Sequence, residues 1–178
     1  KIITNSGTLF NISATAYSLW AGNSYSAGSA VLSLSKVENA IALAVAKGLD
    51  DEDTVFVNPK TWADLLTEQA VLRRYDQSYS STELQAGSKS LKFYGQNGSV
   101  SIEPSIYVKE GYSYILSLRD FNKVGSTDVT FQRPGMEGKF FRELENSAGV
   151  ELRAMSDMAL FCSAPGKNVV ITAIVNST

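Results

Sequence analysis

From Ile2 to Ser35 the chain carries not one Asp, Glu, Lys or Arg. Charged residues make up 19% of the sequence, so a charge-free window that long arises by chance about once in a thousand placements. The stretch is not a membrane helix, because Ser, Thr, Asn and Gly interrupt it throughout. No apolar run in the chain approaches the roughly 20 residues that span a bilayer. The stretch does hold Phe10, Tyr17, Leu19, Trp20 and Tyr25, large groups that gain from leaving water. Two readings follow. Either two or three uncharged strands and loops are covered by the rest of this chain, or part of the strip faces a neighbouring subunit, since interface centres are poor in charge and rich in aromatics.

At 178 residues and 44% apolar, the chain is one domain of ordinary size, or one and a half. A globule of that length buries about 70% of its unfolded surface and requires no disulfide or metal staple. Sixteen basic against eighteen acidic residues leave a net charge of −2, the wrong balance for gripping phosphate backbones. The single cysteine cannot close an internal bridge and gives no sign of an oxidising compartment. Histidine is absent, which removes every mechanism resting on an imidazole base or ligand. The chain opens on Lys1 with no basic-then-apolar leader, which reads as a start inside a longer polypeptide.

The apolar spacing of Val37, Ala40, Ile41, Ala44 and Val45 predicts a helix over Lys36–Lys47. A capping box, Ser35-Lys36-Val37-Glu38, stands at its start and Gly48 at its end. Asp50 to Asp53 read as a loop and Thr54–Val57 as a short buried strand. A second helix follows, with Asn58 as N-cap, Pro59 at its first position, Trp62, Leu65, Leu66, Gln69 and Leu72 along it, and Arg73 and Arg74 in its last turn. Beyond Tyr75 the texture changes to strands and turns. Leu91–Tyr94, the turn Gly95-Gln96-Asn97-Gly98 and Val100–Glu103 form a hairpin signal. Ser105–Val108 continues extended, and Lys109-Glu110-Gly111 turns into a strand to Leu118 with Tyr112, Tyr114, Leu116 and Leu118 on one face. Val129–Phe131 reads as a short strand, and Met136–Asn146 as a short helix with Phe140, Phe141 and Leu144 inward. Val150–Cys162 reads as a long strand whose phase slips near Ser156-Asp157, the sign of a bulge. Ala164-Pro165-Gly166-Lys167 turns the chain into a last strand, Val169–Val175. The sum is an α+β chain with a mixed β-sheet flanked by helices and long strands from both chain ends.

Candidate chemistry is thin. Ser33-Leu34-Ser35-Lys36 has the Ser-x-x-Lys spacing of penicillin-interacting enzymes but lacks the partner motifs Ser-Asp-Asn and Lys-Thr-Gly. Asp50 to Asp53 cannot open a helix-loop-helix calcium loop, because the required glycine and glutamate positions fall on Phe56 and Trp62. Cys162, at the end of an apolar strand, reads as a buried inert thiol. The expectation is no catalytic, cofactor-binding or metal-ligating residue, hence no enzyme and no cofactor. Tyr107, Tyr112 and Tyr114 could form a sugar-stacking platform in a β-rich adhesion module, although packing across strands is the plainer account. Arg73, Arg74, Arg119, Asp120, Arg133, Arg142, Glu143, Glu145, Glu151 and Arg153 sit beside turns or alternate along strands. Alone they are solvated faces; in an assembling protein they would set register and partner choice.

The order of segments resembles the tailed-phage major capsid proteins of the Hong Kong 97 type. It runs from Tyr17-Ser18-Leu19-Trp20-Ala21-Gly22 through the first helix to Val55-Phe56-Val57-Asn58-Pro59-Lys60-Thr61-Trp62. It resumes with Leu91-Lys92-Phe93-Tyr94-Gly95, Val100-Ser101-Ile102-Glu103, Val108-Lys109-Glu110-Gly111, Glu151-Leu152-Arg153 and Ala164-Pro165-Gly166. The resemblance covers nearly the whole chain and rests on strand patterns with turn residues. It implies an axial domain over 36–138, a mixed sheet flanked by helices, and peripheral-domain strands from 1–35 and 139–178. The N-terminal arm, extended loop and spine helix of the family have no counterpart here. It further implies a structural subunit that self-assembles through pentamers and hexamers into an icosahedral shell in the host cytoplasm. The shell, the virion's capsid, would enclose double-stranded DNA without sequence-specific binding, and would use no membrane, cofactor or small-molecule substrate. Trp20, Tyr25, Arg73, Arg74, Arg119, Asp120, Arg133, Arg142, Glu143 and Arg153 are the candidate interface residues. An encapsulin-like bacterial shell is the alternative within the same fold.

Overall fold

The computed structural model describes residues 2–50, 53–73, 91–96, 98–132, 135, 138 and 140–177, with the side chains of 69–73 left aside. The chain divides into two compact units, one of Lys1–Asp120 with Ala164–Thr178, the other of Phe121–Ser163.

The first unit opens with a miniature hairpin, β1 (Thr8–Leu9) and β2 (Ile12–Ser13), turned by Phe10 and Asn11 at positive φ. Two left-handed residues give the turn a twist that matches its strands. A short 3-10 turn, Ser18–Trp20, leads to β3 (Asn23–Ala30). Helix α1 (Leu34–Val45), β4 (Asp53–Val57) and helix α2 (Pro59–Arg73) follow as the apolar spacing requires. Then come β5 (Leu91–Gly95), β6 (Gly98–Pro104) and β7 (Ser113–Leu116). After the second unit, β12 (Val169–Ile174) closes the chain.

Six strands make one mixed sheet in the order β3-β12-β7-β4-β6-β5, with β12 parallel to β3 and β4 parallel to β6. Directly opposed residues share a face. The registers Leu91–Ile102–Val55–Ile115–Val169 across five strands therefore put these side chains on one side, together with Val100, Val57 and Ile171. Val37, Ala40, Ile41 and Ala44 of α1 and Leu65 of α2 join the same buried cluster. Both helices thus cover one face. Each fully buried aliphatic side chain there contributes about 1.5–3 kcal/mol. The opposite face carries Thr54, Phe56, Tyr114 and Leu116, half-buried, and exposed Lys92 and Tyr94.

Local signals hold unevenly. Asn58 caps α2, its Oδ1 accepting the Lys60 N–H at 3.0 Å. Gly48, at φ 90°, ends α1: its N–H donates to Val45 O and the Leu49 N–H to Ala44 O, the paired bonds of a left-handed helix stop. The capping box does not form. Helix α1 begins at Leu34 after Ser33, Ser35 lies inside the first turn with its hydroxyl against Ser33 Oγ at 2.9 Å, and Glu68 of α2 accepts the Leu34 N–H. A carboxylate from the neighbouring helix thus serves an orphan amide at the start of α1. Ser105–Val108 is a turn, because Ser105 Oγ accepts the Tyr107 N–H and Ser105 O the Val108 N–H; a serine side chain competes well with a strand ladder.

The second unit is a ribbon of β8 (Phe121–Thr130) antiparallel to β11 (Met155–Cys162), with β9 (Phe141–Glu143) antiparallel to β10 (Val150–Leu152). The expected phase slip is real: register shifts fall at Met155/Asp157 and Asp157/Met158. A side chain at Gly125 would run into the Asp157 carbonyl, so the bulge requires glycine there. Of the stretch 136–146 where a helix was expected, Met136, Glu137 and Lys139 lie outside the described residues, and Phe141–Glu143 is strand β9. Gly135 and Gly138 both sit at φ 75°, a conformation that breaks a helix before it can start, and Val150–Leu152 supplies a ladder partner. Strand β8 begins eight residues before the expected Val129, because Asn122, Lys123, Gly125, Ser126 and Asp128 hide it from any propensity argument.

Candidate functional site

The charge-free strip and the last strand meet. Strand β3 lies parallel to β12, with Asn23 opposite Val169 and Tyr25 opposite Ile171. Asn23 is buried, and its Nδ2 donates to Gly166 O at 2.6 Å and Asn168 O at 3.1 Å. Asn168, wholly buried, accepts the Ser117 N–H on Oδ1 at 3.0 Å and donates from Nδ2 to Ala164 O at 3.2 Å. A side chain at Gly166 would strike the Leu19 carbonyl, so the 3-10 turn Pro165–Lys167 packs directly on Ser18–Trp20. The absence of charge at Asn23 has a cause here. An amide can satisfy several backbone groups in a buried clasp, whereas a desolvated charge there would cost several kcal/mol (about) without a partner.

Ions gather at the rim of this clasp. Lys47 Nζ donates to Ala21 O at 2.7 Å, and burial pulls its pKa down. Asp50 receives both Lys167 Nζ and Arg119 Nη2 at 3.1 Å, and the Lys167 hydrogen bond and charge lead in holding its carboxyl below the usual range.

The candidate interface residues divide between the units. Trp20 is half-buried, donates from Nε1 to Leu9 O at 3.2 Å and meets the Phe10 ring edge-on at 6.4 Å. Tyr25 is half-buried against the core cluster. Both therefore also hold this chain together. Arg119 is the exposed partner of Asp50, and Asp120 accepts the Ser117 hydroxyl at 3.0 Å. Arg142 and Glu143 lie on β9 and Arg153 just after β10. Arg153 pairs with Glu151 at 2.8 Å, and that hydrogen bond holds the Glu151 carboxyl down. Arg73 ends α2, with its side chain among those left aside; Arg74 and Arg133 lie outside the described residues.

Apolar groups outside the candidate interface set are exposed as well. Phe140, Phe141, Leu144, Val150 and Leu152 of the second unit are 51%, 62%, 43%, 65% and 50% exposed; three of them were expected to point inward from a helix. In the first unit the charge-free strip exposes Tyr17 and Leu19, both 66%, and the turn after β6 exposes Ile106 and Tyr107. The legible signal was the alternation Val150-Glu151-Leu152.

The chemical alternatives find little geometry. Lys36 Nζ donates to Val31 O at 2.7 Å while Ser33 Oγ pairs with Ser35, so the Ser-x-x-Lys pair is engaged elsewhere. Tyr112 lies under Lys109 at 5.9 Å and Tyr114 sits between Phe56 and Val170 in the sheet, whereas Tyr107 projects from its turn. Among the described residues no cluster of three or more metal-ligating side chains occurs, and no helix is long and apolar enough to cross a membrane.

A two-helix layer on one face of this six-stranded mixed sheet, with strands from both chain ends joined at its edge, is a capsid-like fold. The solved structure of the cyanophage A-1(L) capsid asymmetric unit matches with a TM-score of 0.62 at 13% identity, covering 96% of this chain and 56% of that one. A virus-like particle from Pyrococcus furiosus aligns over 78% of this chain and 47% of that one, with a TM-score of 0.44 and 20% identity. The chain thus spans about half the length of either. No protein-family model and no curated protein matches the sequence.

Proposed function

We propose that the chain is a structural subunit of a closed protein shell, the capsid of a tailed phage of the Hong Kong 97 type, acting by association with copies of itself. The observation that carries this reading is the fold match at TM-score 0.62 over 96% of the chain. The exposed aromatic and aliphatic groups in both units support it, since a monomer gains nothing from showing them to water. A wall with a net charge of −2 encloses a genome without gripping it. Many weak contacts, multiplied by closed symmetry, supply the stability of such an assembly.

The test is to express the complete reading frame that contains these residues and image the product by negative-stain electron microscopy. Closed particles of uniform diameter are expected. A preparation that stays a dispersed monomer at high concentration refutes the reading.

A further inference from the structure

We propose that the turn carrying Tyr107 is a docking knob whose ring seats in the cavity between α1 and β5 of a second copy of this chain. The proposal rests on the shell-subunit reading for its partner and deepens it by naming both halves of one contact.

The knob is held outward by its anchors. Ser105 donates its N–H to Val57 O at 2.9 Å, and its Oγ accepts the Tyr107 N–H at 3.3 Å. On the other side Val108 is buried, and its carbonyl accepts Asn58 Nδ2 at 2.9 Å. The backbone is thus pinned on both sides of Ile106 and Tyr107, which are 79% and 91% exposed. No large apolar side chain among the described residues is more exposed than Tyr107. An aromatic whose backbone is already fixed loses little freedom on binding, which suits it to be an anchor.

Size and chemistry select what the cavity takes. Glu38 and Ile41 of α1, with Tyr94, Gly95 and Gln96 where β5 ends, enclose about 200 Å³. Sites that hold a whole small molecule run to about 300–1,000 Å³, so this one has room for a single side chain. Ile41, 2% exposed, gives it an apolar wall, while Glu38 and Gln96 are exposed. A buried tyrosine needs that mixture, its ring against carbon and its hydroxyl on an acceptor. A carboxylate is the stronger acceptor, and it turns phosphate and other anions away.

Topology assigns the occupant to another copy. The cavity stands beside the start of β6 and the knob follows its end, with Gly98–Pro104 between them, about 20 Å of extended chain. A chain cannot fill its own cavity with its own knob. Two unlike surfaces at opposite ends of one strand make a head-to-tail contact, which repeats from copy to copy until a ring closes.

The experiment uses the product of the complete reading frame. Tyr107 is replaced by photoreactive benzoylphenylalanine, isotopically light and heavy copies are mixed before assembly, and the sample is illuminated. Light–heavy cross-links from position 107 to residues 38–41 or 94–96 are expected. In parallel, Tyr107→Ala is expected to weaken self-association at least about thirty-fold, the loss of one central anchor, and Tyr107→Phe to fall between it and the parent. Because Tyr107 is exposed in the single chain, far-UV circular dichroism and the thermal midpoint of the variants should match the parent. Cross-links confined within one chain or landing on other segments, or Tyr107→Ala associating like the parent, overturn the contact. Closed particles in unchanged yield from Tyr107→Ala keep the shell and sink the contact. The expected cross-links in open filaments, without closed particles, keep the contact and sink the shell.

Discussion

Replacing Asn168 by alanine should loosen the first unit by about 2–4 kcal/mol. The magnitude follows from what each partner retains. Ser117 is 2% exposed, and its N–H donates to Asn168 Oδ1 at 3.0 Å. Truncation leaves that donor facing a void, at about 1–3 kcal/mol for an orphaned buried group. The acceptors suffer less. Ala164 O keeps the Lys167 N–H and Pro165 O keeps the backbone N–H of Asn168, both at 3.2 Å, so losing the side-chain donor costs about 1 kcal/mol. Both tryptophans, Trp20 and Trp62, lie in this unit, so their fluorescence during urea unfolding reports it selectively. With a slope of about 2 kcal/mol per molar urea, the midpoint should fall by about 1–2 M. Asn23→Ala removes two donors to the same turn, and the double variant should fall short of additivity by about 0.5–1.5 kcal/mol. A midpoint shift under about 0.3 M with unchanged slope for Asn168→Ala would refute the clasp as a source of stability.

Ile115→Ala, at a wholly buried position in the central strand β7, should cost about 2–5 kcal/mol, read by the same urea titration. Gly166→Ala drives a methyl into the Leu19 carbonyl, so Ser18–Trp20 must move and the Trp20 emission should shift to the red in the native state. Asp50→Asn tests the rim ions by pH. Lys167 and Arg119 depress the Asp50 carboxyl in the folded chain, so its contribution is present above the ordinary carboxylate range and is lost as pH falls through it. Parent and variant should therefore differ in thermal midpoint at pH 7 and converge as the pH falls below the ordinary carboxylate range, and salt at pH 7 should narrow the gap.

The helix–strand–helix unit was legible because its apolar stripe, its Asn58-Pro59 start and its Gly48 stop are local and agree with one another. The hairpin at Gly95–Gly98 and the bulge near Asp157 were legible for the same reason. Strand β8 was not, since Asn122-Lys123 and Gly125-Ser126 have no strand preference and are held extended by their partner β11. Phe140-Phe141 with Leu144 fits a helical face as well as a strand, and the two left-handed glycines before it decided the matter. Of the candidate interface, Trp20 and Tyr25 were singled out by the missing charge around them, yet both also pack within the chain. The exposed face of Phe141, Val150 and Leu152 was hidden because alternation marks a packed side without saying which molecule packs on it.

Sedimentation of the complete gene product over a wide concentration range tests the central claim most directly. The account predicts a discrete boundary at the mass of many copies. A single boundary at the mass of one chain, at every concentration and salt, would contradict it.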